Sequence, residues 1–169
     1  MKLVSPSKEF ESAFKVYYQD FLEHDIDNSD YYKDGVLDFS RYIECLNDEA
    51  RGVNLPDGYV PCNHYWLVND EGEILGAIRV RHRIDNEFLS LEAGHIGYDI
   101  APSKRGSGYG KAMLKFAIPK ASSLGIKQAL ITADEDNIAS RKVIEANGGK
   151  FEKIVFGNVF PGPVARYWL

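Results

Sequence analysis

Arg105, Gly106, Gly108, Gly110 and Lys111 crowd one short stretch, Tyr98-Asp-Ile-Ala-Pro-Ser-Lys-Arg-Gly-Ser-Gly-Tyr-Gly-Lys111, and the chemistry open to such a run is anion binding. Glycines at alternate positions let the backbone turn tightly and come close to a ligand. If a helix starts just beyond them, its first amide N–H groups lack intrahelical acceptors and lie at the positive end of the helix dipole, a setting suited to a diphosphate. Arg105 and Lys111 bracket those amides with cationic side chains, and Ser107 and Tyr109 fill the positions between the glycines.

Spacing decides between the phosphate-binding patterns. A mononucleotide P-loop, G-x-x-x-x-G-K-[ST], fails because Arg105 stands five before Gly110 and Ala112 follows Lys111. A dinucleotide fingerprint, G-x-G-x-x-G, fails because Lys111 or Met113 takes the last position. The pattern that fits is R-x-x-G-x-G, as Arg105, Gly108 and Gly110, after a strand-like run that ends in Ile100-Ala-Pro102. A second segment lies downstream: the strand-like Gln128-Ala-Leu-Ile-Thr132, then Asn137 and Ser140 opening a helix-like run that ends in Gly148-Gly149. Asn137 is also a good helix N-cap and Gly148 a good terminator in their own right.

With both segments in this order, residues 94–151 resemble the GNAT superfamily of acyl-CoA-dependent N-acyltransferases, with its [QR]-x-x-G-x-[GA] and N-x-x-[SA] motifs. The resemblance implies an α/β fold in which a central mixed, mostly antiparallel sheet is flanked by helices and a V-shaped split separates the two central strands. It implies acetyl-CoA as co-substrate, its pantetheine arm lying in the split like a surrogate strand and hydrogen-bonding the backbone at Ile100. Amides and side chains of Arg105, Gly106, Ser107, Gly108, Tyr109, Gly110 and Lys111 would hold the diphosphate, and Asn137 and Ser140 would face the arm from the other wall. The implied reaction is direct attack by a primary amine of a small molecule or peptide on the thioester within a ternary complex, where proximity supplies much of the acceleration.

The chain departs from the family at one place. A tyrosine seven residues after the motif asparagine often protonates the leaving sulfur, and here that residue is Ile144. Tyr98 or Tyr167 would have to substitute, or the chain is a non-catalytic acyl-CoA-binding module that senses or recruits. For a general base the strand-like run Leu89–Ile100 offers Glu92, His95 and Asp99. Strand alternation sets Glu92 with Ile96 and Ile100 and sets His95 and Asp99 opposite, and Glu92 is preferred. His24, His64 and His82 show no metal-ligand spacing, so no metal is expected.

The elements that must position these groups follow from periodicity. Ser5-Pro6 opens a first helix along Phe10, Ala13, Phe14, Tyr17 and Phe21. An acidic, aromatic loop from His24 to Asp38 offers a cationic amine both charge and ring faces. A second helix runs along Phe39, Tyr42, Ile43 and Leu46 to Gly52. His64–Val68 and Ile74–Val80 form a hairpin around Asn69-Asp-Glu-Gly72, and Leu89–Ile100 reads as a further strand. The helix after Gly108 carries Pro119, which should kink it or end it early. Phe151–Phe156 and Val164–Leu169 complete the strands.

With 169 residues, 44% of them hydrophobic, the chain is expected to form a single domain, residues 1–169. A net charge of −5 argues against a nucleic-acid surface. There is no apolar run of membrane-spanning length and no signal peptide, so no membrane partner and a cytoplasmic location are expected. Cys45 and Cys62 are too few for a disulfide framework. The aromatic end, Tyr167-Trp-Leu169, either fills the domain's own core or packs against a second copy in a homodimer.

Overall fold

A computed structural model describes residues 1–169. Seven strands form one sheet: β1 (Lys2–Val4), β2 (Cys62–Val68), β3 (Ile74–Arg81), β4 (Ile96–Ile100), β5 (Leu130–Asp134), β6 (Lys150–Phe156) and β7 (Pro163–Trp168). Their spatial order is β1-β2-β3-β4-β5-β7-β6. Every neighbouring pair is antiparallel except β4 and β5. No helix is long and apolar enough to cross a membrane.

Helices cover both faces, and each face has its own core. On one face α1 (Glu11–His24), the short α2 (Ile26–Ser29) and α3 (Lys33–Leu37), and α4 (Phe39–Arg51) bring an aromatic cluster onto Trp66, which is 1% exposed. Phe14, Tyr17 and Phe21 recur every three or four residues along α1, so one stripe faces inward. The Asp38 carboxylate accepts a hydrogen bond from Arg41 N at 3.0 Å to start α4, and left-handed Gly52 ends it, as the sequence predicts. On the other face α5 (Tyr109–Ser123) and α6 (Ile138–Ala146) bury Met113, Leu114, Ala117 and Ile144 against Leu75, Ile78, Ile96 and Tyr167. Tyr167 thus fills the chain's own core, while Trp168 and Leu169 beside it are half-buried.

Four sequence expectations need correction. The run Leu89–Ile100 is not one strand: Leu89–Ala93 is a π-helical turn, and β4 begins only at Ile96. Its apolar alternation misled because the turn is held by side chains, one nearby and one distant in sequence. Asn86 Oδ1 accepts from Leu89 N at 2.8 Å, and the Arg166 guanidinium donates to the carbonyls of Ser90 and Leu91. Secondly, residues 2–4 form an edge strand paired with β2, and the first α-helix starts at Glu11 rather than beside Pro6. Thirdly, residues 24–38 are mostly helical, with Tyr32 buried among Phe14, Tyr17 and Phe21. Lastly, α5 runs on past Pro119 to Ser123, because the bond lost there concerns the carbonyl of the exposed Lys115, which water can satisfy.

Candidate functional site

β4 and β5 share a single parallel bridge, Ile96 with Ile131, and part beyond it. Their junction is tied by main chain and by one ring: His95 N donates to Leu130 O at 2.7 Å, and Leu130 N donates to His95 Nδ1 at 3.0 Å. That acceptor nitrogen carries no proton, so the imidazole is neutral with its hydrogen on Nε2. Gly94 sits at the same point with φ of 66°, so close that an added Cβ would lie 2.5 Å from Leu130 O. The open side of the split leads into a cleft of about 1180 Å³, which runs from the glycine-rich turn past Tyr98 and Gly97 to the far face beneath α4.

At the mouth of the split the glycine-rich turn has the shape its sequence predicts. Gly106 and Gly108 are left-handed, with φ of 78° and 82°, and Gly108 is the residue that enters α5. The amide N–H groups from Ser107 to Lys111 donate to nothing within the protein, and the first helical bond at this end is Ala112 N to Gly108 O. Gly110 is buried, and an added Cβ would press on Val143 of α6 at 3.2 Å. Lys111 is exposed and makes no ion pair. Arg105 differs from expectation, since its guanidinium pairs with Asp25 and donates through Nε to Ile100 O at 3.2 Å. Asp25 is held below its ordinary value: burial opposes this, and hydrogen bonds from Arg105 and Asn28 outweigh it. The acidic loop therefore spends one of its carboxylates on the turn rather than on an incoming amine.

On the opposite wall Asn137 caps α6 by accepting from Ser140 N at 3.0 Å, and both residues line the cleft. Tyr98, also on the cleft, donates to Ser140 O at 3.2 Å, and burial pushes its phenol up to about 12, so it stays protonated at neutral pH. Ile144 is wholly buried. Tyr167 is removed as a substitute acid because its hydroxyl donates to Glu145, accepts from Arg141 Nε at 2.8 Å, and lies away from the cleft.

Glu92 is neither on a strand nor open to the cleft. Its carboxylate accepts from Asn158, Val159 and Phe160 N–H groups at 2.7 to 3.2 Å, and Gly157 passes so close that any side chain there would collide with it. Hydrogen bonds from Phe160 hold the carboxyl below its ordinary value against the effect of burial, with Asn158 and Val159 adding to them. The group anchors the β6–β7 loop, whose Phe160 lines the cleft. A Glu92→Gln change is expected to deprotect the Asn158–Phe160 amides in hydrogen exchange and to raise the acceptor KM while acetyl-CoA affinity holds. Loss of kcat with full amide protection would instead restore Glu92 as a base.

Sequence reasoning missed a polar ladder on the α1 and α4 face. Register sets His64 opposite Arg79, Arg79 opposite Gly97, and Cys62 opposite Arg81. Glu49 of α4 reaches His64 Nε2 at 2.7 Å, and Cys62 completes a close cluster with them. Asp99 Oδ2 accepts from Tyr32 Oη at 2.8 Å and from Arg79 at 3.2 Å, and Tyr31 lies over the Arg79 guanidinium. Alternation along the predicted hairpin was the available signal, because it already set His64 and Arg79 on faces that pairing would join.

Two histidines make stability depend on pH in opposite senses. Burial, then the Arg81 charge, hold His95 below the ordinary 6.5, so the unfolded chain takes up a proton first and stability falls as pH drops below 6.5. For His64 burial acts downward, but hydrogen bonds to Cys62 and Glu49 raise it to about 9. Its contribution is whole below 6.5 and is lost as pH rises to about 9. The expected loss on that limb is on the order of 2 kcal/mol, removed by His64→Gln. Urea unfolding at pH values on either side of 6.5 measures both limbs, and a native chain equally stable at 6.5 and 9 would contradict the His64 assignment.

Comparison with known proteins accords with this geometry. The sequence profile of the acetyltransferase (GNAT) domain matches residues 40–150. No curated protein matches the chain. Among solved structures, RimJ of Mycobacterium smegmatis with a CoA disulfide superposes with a TM-score of 0.71 at 16% identity, over 99% of this chain and 80% of that one. RimL, a ribosomal alpha-N-protein acetyltransferase in complex with coenzyme A, gives 0.68 at 18%, over 99% and 92%. The microcin C7 self-immunity acetyltransferase MccE, in complex with acetyl-CoA and AMP, gives 0.65 at 15%, over 99% and 90%. At these identities the likeness is one of fold.

Proposed function

The chain belongs to the acetyltransferase (GNAT) domain family and is an acyltransferase, and from that premise we propose that it moves an acetyl group from acetyl-CoA to a primary amine in a ternary complex. The observation that carries the reading is the conjunction of two strands paired at one position only and a row of unpartnered amides, Ser107 to Lys111, at the open end of their split. Complexes of RimJ and RimL with CoA, and of MccE with acetyl-CoA, support it. The reading takes the whole of residues 1–169 as one such domain, supported by β1 and β7, which lie outside the matched segment and belong to the same sheet.

When bound, acetyl-CoA supplies an activated acyl group as a thioester. The residues present suit it. The amides from Ser107 to Lys111 hold the diphosphate, with Lys111 as the mobile cation and Arg105 steadying the turn through Asp25. The edges of Gly97–Ile100 and of β5 bind the arm, and Asn137 and Ser140 close the wall. Tyr98 keeps its proton and lines the cleft, and it would have to release Ser140 O to donate that proton toward the departing sulfur. Glu92 acts through the loop it anchors, as a positioning residue.

Calorimetry and thermal unfolding with acetyl-CoA, followed by thiol release against an amine panel, test the proposal. Saturation at 100 times Kd should add about 2.7 kcal/mol of stability. No binding would overturn it. Tight binding without thiol release for any amine would favour an acyl-CoA-sensing module, a reading supported by the buried Ile144 and by the Tyr98 hydroxyl already donating to Ser140.

A further inference from the structure

Among the β2 and β3 cations that line the cleft, Arg81 is the one the fold leaves without a counter-charge. Arg79 pairs with Asp99, and His64 pairs with Glu49. Arg81 forms no ion pair: its Nη1 donates to the carbonyls of Ala93 and Gly94, at 3.4 and 3.1 Å, and its Nε and Nη2 hydrogens meet no acceptor. Neither atom is sealed from solvent, since no buried side-chain nitrogen lacks a partner, and Arg81 lines the cleft. The guanidinium therefore presents a free edge of N–H donors to the cavity.

Its place relative to the split is set by register. Arg79 lies directly across from Gly97, the first residue of β4 beyond the bridge to β5, and Arg81 is two residues further along the same face of β3. Diagonal neighbours of this kind stand roughly 7–8 Å apart. A group on Arg81 and a nitrogen over Gly97 are thus spanned by a few covalent bonds. A partly desolvated guanidinium with a free fork of donors matches carboxylate and phosphate oxygens, and leaving it unpaired in a low-dielectric wall is costly.

We infer that the acceptor is an amine carrying an anionic group, carboxylate or phosphate, close to its nitrogen, and that Arg81 is the residue that reads this anion. The inference rests on the acetyl-transfer reading and names its substrate class. It reverses the sequence-based expectation of a plain cationic amine drawn by the acidic 24–38 segment, in which Asp25 is occupied by Arg105. Asp34, which also lines the cleft, suits the ammonium end of such a zwitterion.

The test is thiol release from acetyl-CoA with matched acceptor pairs: α-amino acids against their methyl esters, and 2-aminoethyl phosphate against ethanolamine. In the native chain at least one anionic member should exceed its neutral counterpart by about 10-fold or more in kcat/KM, equivalent to about 1.4 kcal/mol. The two arms distinguish carboxylate from phosphate. In Arg81→Gln the preference should collapse, mainly through the acceptor KM of the anionic member, by a larger factor than any change in acetyl-CoA affinity measured by calorimetry. Arg81→Lys, which keeps the charge and the fold contacts of the stem, should restore part of it. Equal or better use of the neutral members, or a preference that survives Arg81→Gln, overturns the inference and leaves acetyl transfer standing. Turnover of no amine at all, with acetyl-CoA still bound, overturns the inference together with the acceptor half of the proposed function. Failure to bind acetyl-CoA overturns the underlying reading first and the inference with it.

Discussion

Acetyl-CoA binding by a Gly108→Val variant is expected to be at least about 100-fold weaker than by the native chain, a loss of about 2.7 kcal/mol. Gly108 enters α5 with φ of 82°, and an ideal Cβ there meets no protein atom within 4 Å. The protein therefore objects to a side chain only through backbone strain, about 1–2 kcal/mol for an L-residue in the left-handed region. A ligand objects twice over. The new methyl groups stand before the unpartnered amides of Ser107 to Lys111, and relief of the strain turns those amides away. Each hydrogen bond to a charged partner is worth about 1.5–3 kcal/mol, so losing two reaches the stated effect. Gly72→Val is the matched control, since Gly72 has φ of 83°, meets nothing within 4 Å, and lies in the β2–β3 turn away from the cleft. Calorimetry on both variants decides, and a Gly108→Val dissociation constant within threefold of the Gly72→Val value would remove the diphosphate from this turn.

Gly94→Ala is expected to destabilise the fold by about 3 kcal/mol, combining left-handed strain with overpacking, and to lower the melting temperature by roughly 6–12 °C for a chain of this size. The atom the new Cβ would strike is Leu130 O at 2.5 Å, and this carbonyl is the acceptor for His95 N. Backbone cannot swing aside as a long side chain can, so the junction of β4 and β5 must open. Their one bridge, Ile96 with Ile131, lies next to it. The variant should accordingly lose acetyl-CoA affinity as well, whereas a cavity mutation elsewhere in the core would lower stability alone. Calorimetric unfolding and a binding isotherm on one sample separate these effects, and a melting temperature within about 2 °C of the native chain would show that the apex is not under this constraint.

The glycine-rich turn and the start of α6 were legible from the chain itself because their information is local. Arg105, Gly108 and Gly110 declare a turn before a helix, Asn137 and Ser140 declare an N-terminus, and each needs only near neighbours to take up its conformation. The helix α4, capped by Asp38 and ended by Gly52, was readable for the same reason. Reading failed where distant groups override local preference. The apolar alternation Leu89, Leu91, Ala93 reads as strand, but Arg166, from the far end of the chain, holds it in a turn that the nearby Asn86 begins, and Glu92 then reaches the loop at 158–160 rather than the cleft.

Residue types and short spacings by themselves determined that this chain has a glycine-rich strand-to-helix turn suited to an anion, that its order of elements is that of the GNAT fold, and that Ile144 stands where relatives often have a tyrosine. Only the tertiary structure decided which charges are spent and which are free. Asp25 and Arg105 pair across 80 residues of chain, Asp99 pairs with Arg79 and Glu49 with His64, and Arg81 beside them on the sheet forms no ion pair. Pairing of this kind depends on strand register and helix placement, and the energy of a charge in a cleft depends on what lies within a few ångströms of it, which no local pattern of residues encodes.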